Sequence, residues 1–315
     1  MTLHIGTRGS ALALWQARQV AELIGRQTGA PPVELVQIRT EGDVRTDVPL
    51  WAVGGRAFFT KEIDRALLAS EVDIAVHSLK DLSTVLEEGI ELGAALTRED
   101  PRDALVSRDG LRLMQLPPGA RVGTSSLRRR AFLARVRPDV QQLELRGNVP
   151  TRIERLRKGD YDAIILAAAG LRRLGLEGNI SERLAPELFP PAVSQGVIGV
   201  CARTNDTGTV RWLRALDDPD ARLASTAERA LLRRLEGGCQ VPLGALGTVS
   251  GGSLRLQAAV CALDGSRMLS ARGDATATLG EATQLGQRLA DELLSQGAGE
   301  LIAHERDSRR SVEAP

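Results

Sequence analysis

The sequence predicts an α/β fold: two similar α/β domains followed by a small C-terminal α+β domain. Three observations predict the domain pattern. Two stretches, opening at LHIGTRGS and at ARVGTSSL, run through the same β-α-β-α-β order. Their strands are nearly continuous apolar runs, as expected for strands covered on both faces. From about Asp218 the pattern changes to helix, three strands, helix. A chain of 315 residues has room for two or three such domains.

Taken in order, LHIGT is a short apolar strand, and ALALWQARQVAELIG places apolar residues three and four apart, the spacing of a helix. The strand VELVQIRT, a glycine-bearing loop over 43–57 that reads as a lid, the helix FTKEIDRALLAS and the strand VDIAVHSL complete the first unit. The second runs from ARVGTSSL through the helix RRRAFLARV, stopped near Pro138, to the strand QQLELRGN, the helix TRIERLRKG and the strand YDAIILAAAG. One larger sheet is the alternative arrangement. Residues 192–214 return to strand-like and then helical character, so the chain is expected to re-enter the first domain after visiting the second. Two crossings would make a hinge with a cleft beneath it. The helix ASTAERALLRRLE should stop at Gly237-Gly238. Three strands, LGALGTVS, SLRLQAAVCALDG and RMLSARGDAT, then precede the helix EATQLGQRLADELLSQG. The expected boundaries are 1–97 with 196–216, 98–195, and 217–305, with 306–315 a disordered tail.

Composition narrows the function. The net charge of +1 calls for no nucleic-acid partner, and no apolar run is long enough to span a membrane. The start MTLHIGTRGS has no secretory pattern, so the cytoplasm is the expected compartment. Cys201, Cys239 and Cys261 form no CxxC pair, and His4, His77 and His304 are scattered, so no metal is expected. Only three of the 41 basic residues are lysine. Guanidinium forks match carboxylates with two parallel bonds, which an ammonium cannot do.

The basic and hydroxyl residues recur at strand ends. Arg8 and Ser10 follow the first strand of one unit. Thr124, Ser125, Ser126, Arg128 and Arg129 hold the equivalent place in the other. Arg146 and Arg152 follow the next strand, and Arg172 and Arg173 the third. A single arginine usually belongs to a solvated helix face. Repetition at successive strand ends points to a ligand with several carboxylates, each desolvated contact contributing about 1.5–3 kcal/mol. HSLKDLS brings Ser78, Lys80 and Asp81 to the same cleft. Asp81 could be a helix cap. Among cations it should instead stay ionised, suited to stabilising a substrate cation and poorly matched to strong-base work. Cys201 and Cys261 sit in apolar runs and read as core. Cys239, in LEGGCQVPLG, is either another core cysteine or an accessible sulfur that carries something covalently; the Gly-Gly lead-in favours the second.

GTRGSALALWQA, VGGRAFFTKEID, DIAVHSLKDL, REDPRDALVS, VGTSSLRRR, LRGNVPTR, DAIILAAAGLRRLGL and RLEGGCQVPLG, in this order, resemble the porphobilinogen deaminase (hydroxymethylbilane synthase) family. The resemblance runs from about residue 4 to 244 and more weakly to about 300. It implies three domains, the first two like periplasmic binding proteins. It also implies a transferase of tetrapyrrole biosynthesis that joins four porphobilinogen molecules, with loss of ammonia, into hydroxymethylbilane. A dipyrromethane cofactor would be held through a thioether to Cys239. Family positions that would hold the cofactor fall on Ser78, Lys80, Thr124, Ser125, Ser126, Arg128, Arg129 and Arg146. Substrate positions fall on Arg8, Ser10, Arg152, Arg173 and Gln195, and the catalytic aspartate on Asp81. A monomer is implied, with porphobilinogen as partner and neither nucleic acid nor membrane. The chain departs from the family at Arg56 (often lysine), Ser83 (often proline) and Ser194 (often glycine). A two-lobed anion-binding module without chemistry is the alternative. A phosphoryl-binding enzyme is a weaker one, since no GxxxxGKS or GxxxxGKT loop is present.

Overall fold

The computed structural model describes residues 2–40, 60–235 and 241–303, and in it the repeat becomes two five-stranded sheets of matching strand order. The first holds β1 (Leu3–Thr7), β2 (Val33–Gln37), β3 (Ile74–Ser78), β4 (Ile90–Ala95) and, much later in the chain, β10 (Ile198–Arg203). Their order is β2-β1-β3-β10-β4. The second holds β5 (Asp103–Ser107), β6 (Arg121–Gly123), β7 (Gln141–Leu143), β8 (Ala163–Ala167) and β9 (Glu182–Arg183), ordered β7-β6-β8-β5-β9. In each sheet three parallel strands are joined by one antiparallel strand, β10 against β3 and β5 against β8. That strand is the last to arrive in the first sheet and the first in the second. The chain therefore crosses between the sheets twice, between β4 and β5 and again between β9 and β10. The sequence reading missed β4, β5 and β9. They lie outside the repeated β-α-β-α-β pattern, and β9 is two residues long.

The flanking helices are α1 (Ala11–Gly25), α2 (Lys61–Leu68), α3 (Leu127–Val136), α4 (Val149–Arg157), α5 (Ala168–Arg173) and α6 (Thr207–Arg214). Their starts follow capping chemistry. Ser10, Ser126, Asn148 and Asp206 each accept a bond from a backbone N–H of the first turn. α1 turns Gln16, Ala17, Val20 and Ile24 inward, the three-and-four spacing read from the sequence.

The third unit is an antiparallel sheet of β11 (Leu243–Ser250), β12 (Ser253–Cys261) and β13 (Met268–Thr276), covered by α7 (Pro219–Arg234) and α8 (Leu279–Ser295). Asp218 caps α7, and Pro219 occupies the first turn, where its missing N–H leaves no bond unmade. On β12, Leu254, Leu256 and Ala258 face the helices. Ala259 and Cys261 are buried too, because the far end of the strand packs with Ala131 and Phe132 of α3. The Cys261 Sγ lies 3.6 Å from the Ala131 carbonyl oxygen. Gly265, at φ +76°, is needed at this contact, since a Cβ there would sit 2.3 Å from the Arg135 nitrogen. Cys201 is likewise buried, which pushes its thiol up to about 12.

One buried ion pair ties both crossings to the third unit. Arg98, on the first crossing, donates to the two carboxylate oxygens of Glu228 on α7 at 2.7 and 2.8 Å, and to the Gln195 carbonyl at 2.9 Å. The fully buried Glu228 also accepts from the backbone N–H groups of Ser194, on the second crossing, and Gly247, on β11. Ser194 is held at φ 60°, the left-handed region that suits glycine, and its buried hydroxyl has no hydrogen-bond partner among the described residues.

Candidate active site

The site begins where β3 ends. The backbone N–H of Leu79 donates to the Val197 carbonyl at 3.0 Å, and Leu79 itself is fully buried. Residues 79–81 then wind one 3-10 turn that displays Lys80 and Asp81. Ser78 does not face a ligand alone: its hydroxyl is bonded to the Gln16 amide at 2.8 Å.

From Lys80 a polar chain runs inward. Its Nζ donates to Gln195 Oε1 at 3.3 Å. The Gln195 amide nitrogen donates to Asp103 Oδ1 at 3.0 Å and to the Pro101 carbonyl at 2.8 Å. Asp103, the first residue of β5, is fully buried between two arginines. Arg128 Nη1 lies 2.7 Å from Oδ2, and Arg129 Nη2 lies 2.7 Å from Oδ1. The two arginines expected to face a ligand therefore share an internal carboxylate, a residue the sequence reading did not select. Its only signal was a charge opening the apolar run DALVS. Burial alone would raise the Asp103 carboxyl, but the two guanidiniums hold it well below the usual carboxylate range.

One acid does not neutralise the cluster. Burial, together with Arg129 and Arg146, lowers the Arg152 guanidinium to about 10, while Glu144 and Asp81 oppose the shift. Burial likewise brings Lys80 down to about 8, opposed by Asp81 and Asp103 and reinforced by Arg129 and Arg128. Lys80, Asp81, Arg128, Arg129, Arg146 and Arg152 thus share one electrostatic neighbourhood with cations in excess. Within it Arg128 Nε is buried without a hydrogen-bond partner among the described residues. An excess of desolvated cations and an orphaned donor fit a ligand bearing several carboxylates, as the dipyrromethane would.

The predicted hydroxyls build the loops. Ser10 and Ser126 are helix caps, Thr124 accepts from the Ser126 N–H at 3.3 Å, and Ser125 bonds both the carbonyl and the N–H of Leu145. Arg8 stands half-buried at the end of β1. Arg173 is drawn towards the second crossing. Its Nη2 donates to the Gly196 carbonyl at 2.6 Å, and its guanidinium lies 5.8 Å from the Trp15 ring centroid, beside a cavity of about 550 Å³. Arg172 is exposed and paired with Glu99 at 3.0 Å. Cys239, Arg56 and the 43–57 lid lie outside the described residues, as does the 306–315 tail. Leu235 and Val241, on either side of the cysteine segment, belong to the core cluster that also holds Val193 of the second crossing. Among the described residues there is no metal-ligating group of His, Cys, Asp and Glu, and no helix long and apolar enough to cross a membrane.

Residues 3–211 match the family model of the porphobilinogen deaminase dipyromethane cofactor binding domain, and residues 222–295 that of the porphobilinogen deaminase C-terminal domain. A porphobilinogen deaminase from Roseiflexus sp. (strain RS-1) is 51% identical over 302 residues, covering 96% of this chain and 99% of its own. One from Geobacter metallireducens is 48% identical over 315 residues, covering 99% and 98%. Among solved structures, the methionine binding protein MetQ is similar over 68% of this chain and 88% of its own, at 14% identity and a TM-score of 0.42.

Proposed function

The chain belongs to the porphobilinogen deaminase family, and from that premise we propose how its residues divide the work of a hydroxymethylbilane synthase. The enzyme is a transferase of tetrapyrrole biosynthesis that condenses four porphobilinogen molecules, with loss of ammonia, into the linear hydroxymethylbilane. In this reading Cys239 holds the dipyrromethane through a thioether, and Lys80, Arg128, Arg129 and Arg146 bind its acetate and propionate groups. Ser78, Thr124, Ser125 and Ser126 shape the loops that bring them there. Arg8, Ser10, Arg152, Arg173 and Gln195 receive the incoming substrate. The chain works as a cytoplasmic monomer, divided into 1–97 with 196–216, 98–195 and 217–305.

The dipyrromethane, when bound, supplies the pyrrole carbon to which the next unit is joined. The protein handles charge. When ammonia leaves the incoming porphobilinogen, its C–N bond breaks and a cation remains on the substrate. Asp81 stabilises that cation and accepts pyrrole N–H bonds while the new C–C bond forms and the displaced ring proton departs. A carboxylate set among cations suits this electrostatic task. The arginines fix the carboxylates, so the reacting carbons approach in one orientation.

The observation that carries the reading is the crowding of cations beside Asp81: burial, with Arg129 and Arg146 as neighbours, lowers the Arg152 guanidinium to about 10, and the Arg128 Nε is buried with no hydrogen-bond partner among the described residues, an excess that a polyacidic chain neutralises. Intact-mass measurement of the purified protein tests it. A covalent addition of two pyrrole units, lost in Cys239→Ser, is expected. An unmodified Cys239 in active enzyme would overturn the anchor.

A further inference from the structure

The turn that carries Asp81 is gripped from another domain. Arg229, on α7 of the third unit, places Nη1 3.1 Å from the Leu82 carbonyl and 3.4 Å from that of Leu79, and Nη2 against the Ser83 carbonyl. These carbonyls bracket Lys80 and Asp81 on both sides. One planar guanidinium thus closes the exit of the 3-10 turn, where the last carbonyls lack helical partners. The preceding residue, Glu228, is the one that clasps Arg98 and the Ser194 N–H. Two consecutive side chains of α7 therefore hold the crossing and the Asp81 turn, and the same helix leads into the segment containing Cys239. Among the described residues the Ser83 side chain adds one bond, accepted from the Val85 N–H at 3.3 Å, so much of the turn's restraint comes from Arg229.

We infer that Arg229 is a positioning residue: it sets the place of the Asp81 carboxylate relative to the helix that precedes the anchoring cysteine, without itself touching substrate. The inference rests on the reading of Asp81 as the charge-stabilising group. A misplacement of about 1 Å at a reacting centre costs on the order of 100-fold in rate.

The test compares holoenzymes verified by intact mass. In Arg229→Met, kcat should fall about tenfold or more while KM stays within about twofold. Arg229→Lys should be intermediate, because three donors on one nitrogen cannot span the separate carbonyls that Nη1 and Nη2 reach. Arg222→Met removes a different α7 bond, to the Leu92 carbonyl, and should leave kcat near wild type. A folded, loaded Arg229→Met with wild-type kcat overturns the inference, as does an equal loss in Arg222→Met, which would reduce Arg229 to interface glue. Should Arg229→Met fail to fold, Arg229→Lys decides by the same measure, and wild-type kcat in it overturns the inference. Asp81→Asn run alongside separates the two claims. If Asp81→Asn keeps full turnover, the reading of Asp81 falls and this inference with it. If Asp81→Asn is inactive while Arg229→Met is not impaired, this inference falls alone.

Discussion

The two α/β units share strand order and loop positions, yet they present opposite chemistry at the same places. After β1 the chain reads Thr7-Arg8-Gly9-Ser10, and the cation precedes the helix cap. After β6 it reads Thr124-Ser125-Ser126, and the cations Arg128 and Arg129 follow the cap, inside the first turn of α3. There they turn back onto Asp103 and are buried. After β3 the chain leaves a 3-10 turn ending in an acid, whereas after β8 it goes directly into α5, which ends in Arg172 and Arg173. The lesson is that backbone repetition fixes where side chains emerge, while their order relative to the cap decides whether they also pair with a carboxylate of their own unit. One unit contributes the acid and the other a pre-paired set of cations.

Four measurements break or sharpen this division. The largest effect is expected for Asp81→Ala, which should lower turnover about 100- to 1000-fold with an unchanged circular dichroism spectrum. Retained turnover would deny the first unit its chemical role. Next is Asp103→Asn. It leaves two buried guanidiniums sharing no counter-charge and should cost about 3–5 kcal/mol of stability, read as a lower urea midpoint. A wild-type midpoint would mean that the pairing does not organise the second unit. Third, Lys80 should lose its proton as pH rises through about 8, so affinity for a carboxylate ligand should weaken across that range. Without ligand the sign reverses: the unfolded chain keeps this proton up to about 10.5, so the cost of burying the charged lysine, full below about 8, fades and stability rises from about 8 to 10.5. In Lys80→Met both trends should vanish from binding and stability titrations. The smallest effect is Ser194→Gly. Relief of the left-handed backbone, offset by the freer unfolded chain, should raise stability by about 1 kcal/mol or less, seen as a small rise in thermal midpoint.

Much of this was legible before any coordinates. The helix spacing of ALALWQARQVAELIG, the repeated Gly-Thr strand ends and the three strands of the last unit all appear as local patterns, and local patterns survive folding. The motifs also picked out Lys80, Asp81 and, in the second unit, Arg128, Arg129, Arg146 and Arg152, which the fold gathers into one electrostatic neighbourhood. What stayed hidden depends on contacts distant in sequence. Asp103 has meaning only once β5 lies beside β8 and α3 turns towards it. Arg229 reads as one more cation on an amphipathic helix until α7 is seen against the turn after β3. The two-residue strand β9 draws its stability from its neighbours, so its own residues carry little signal. The hydroxyls carry a task that residue type alone did not show, since Ser10 and Ser126 also cap helices.

The threading of the first sheet sets an order of assembly. Among the described residues β4 finds its neighbour only in β10, so a nascent chain ending near residue 97 has a gap between β3 and the strand meant for its edge. That gap stays open until about residue 203 has emerged, by which time every strand of the second sheet has been synthesised. The middle unit can close first, and the amino-terminal one must wait for it.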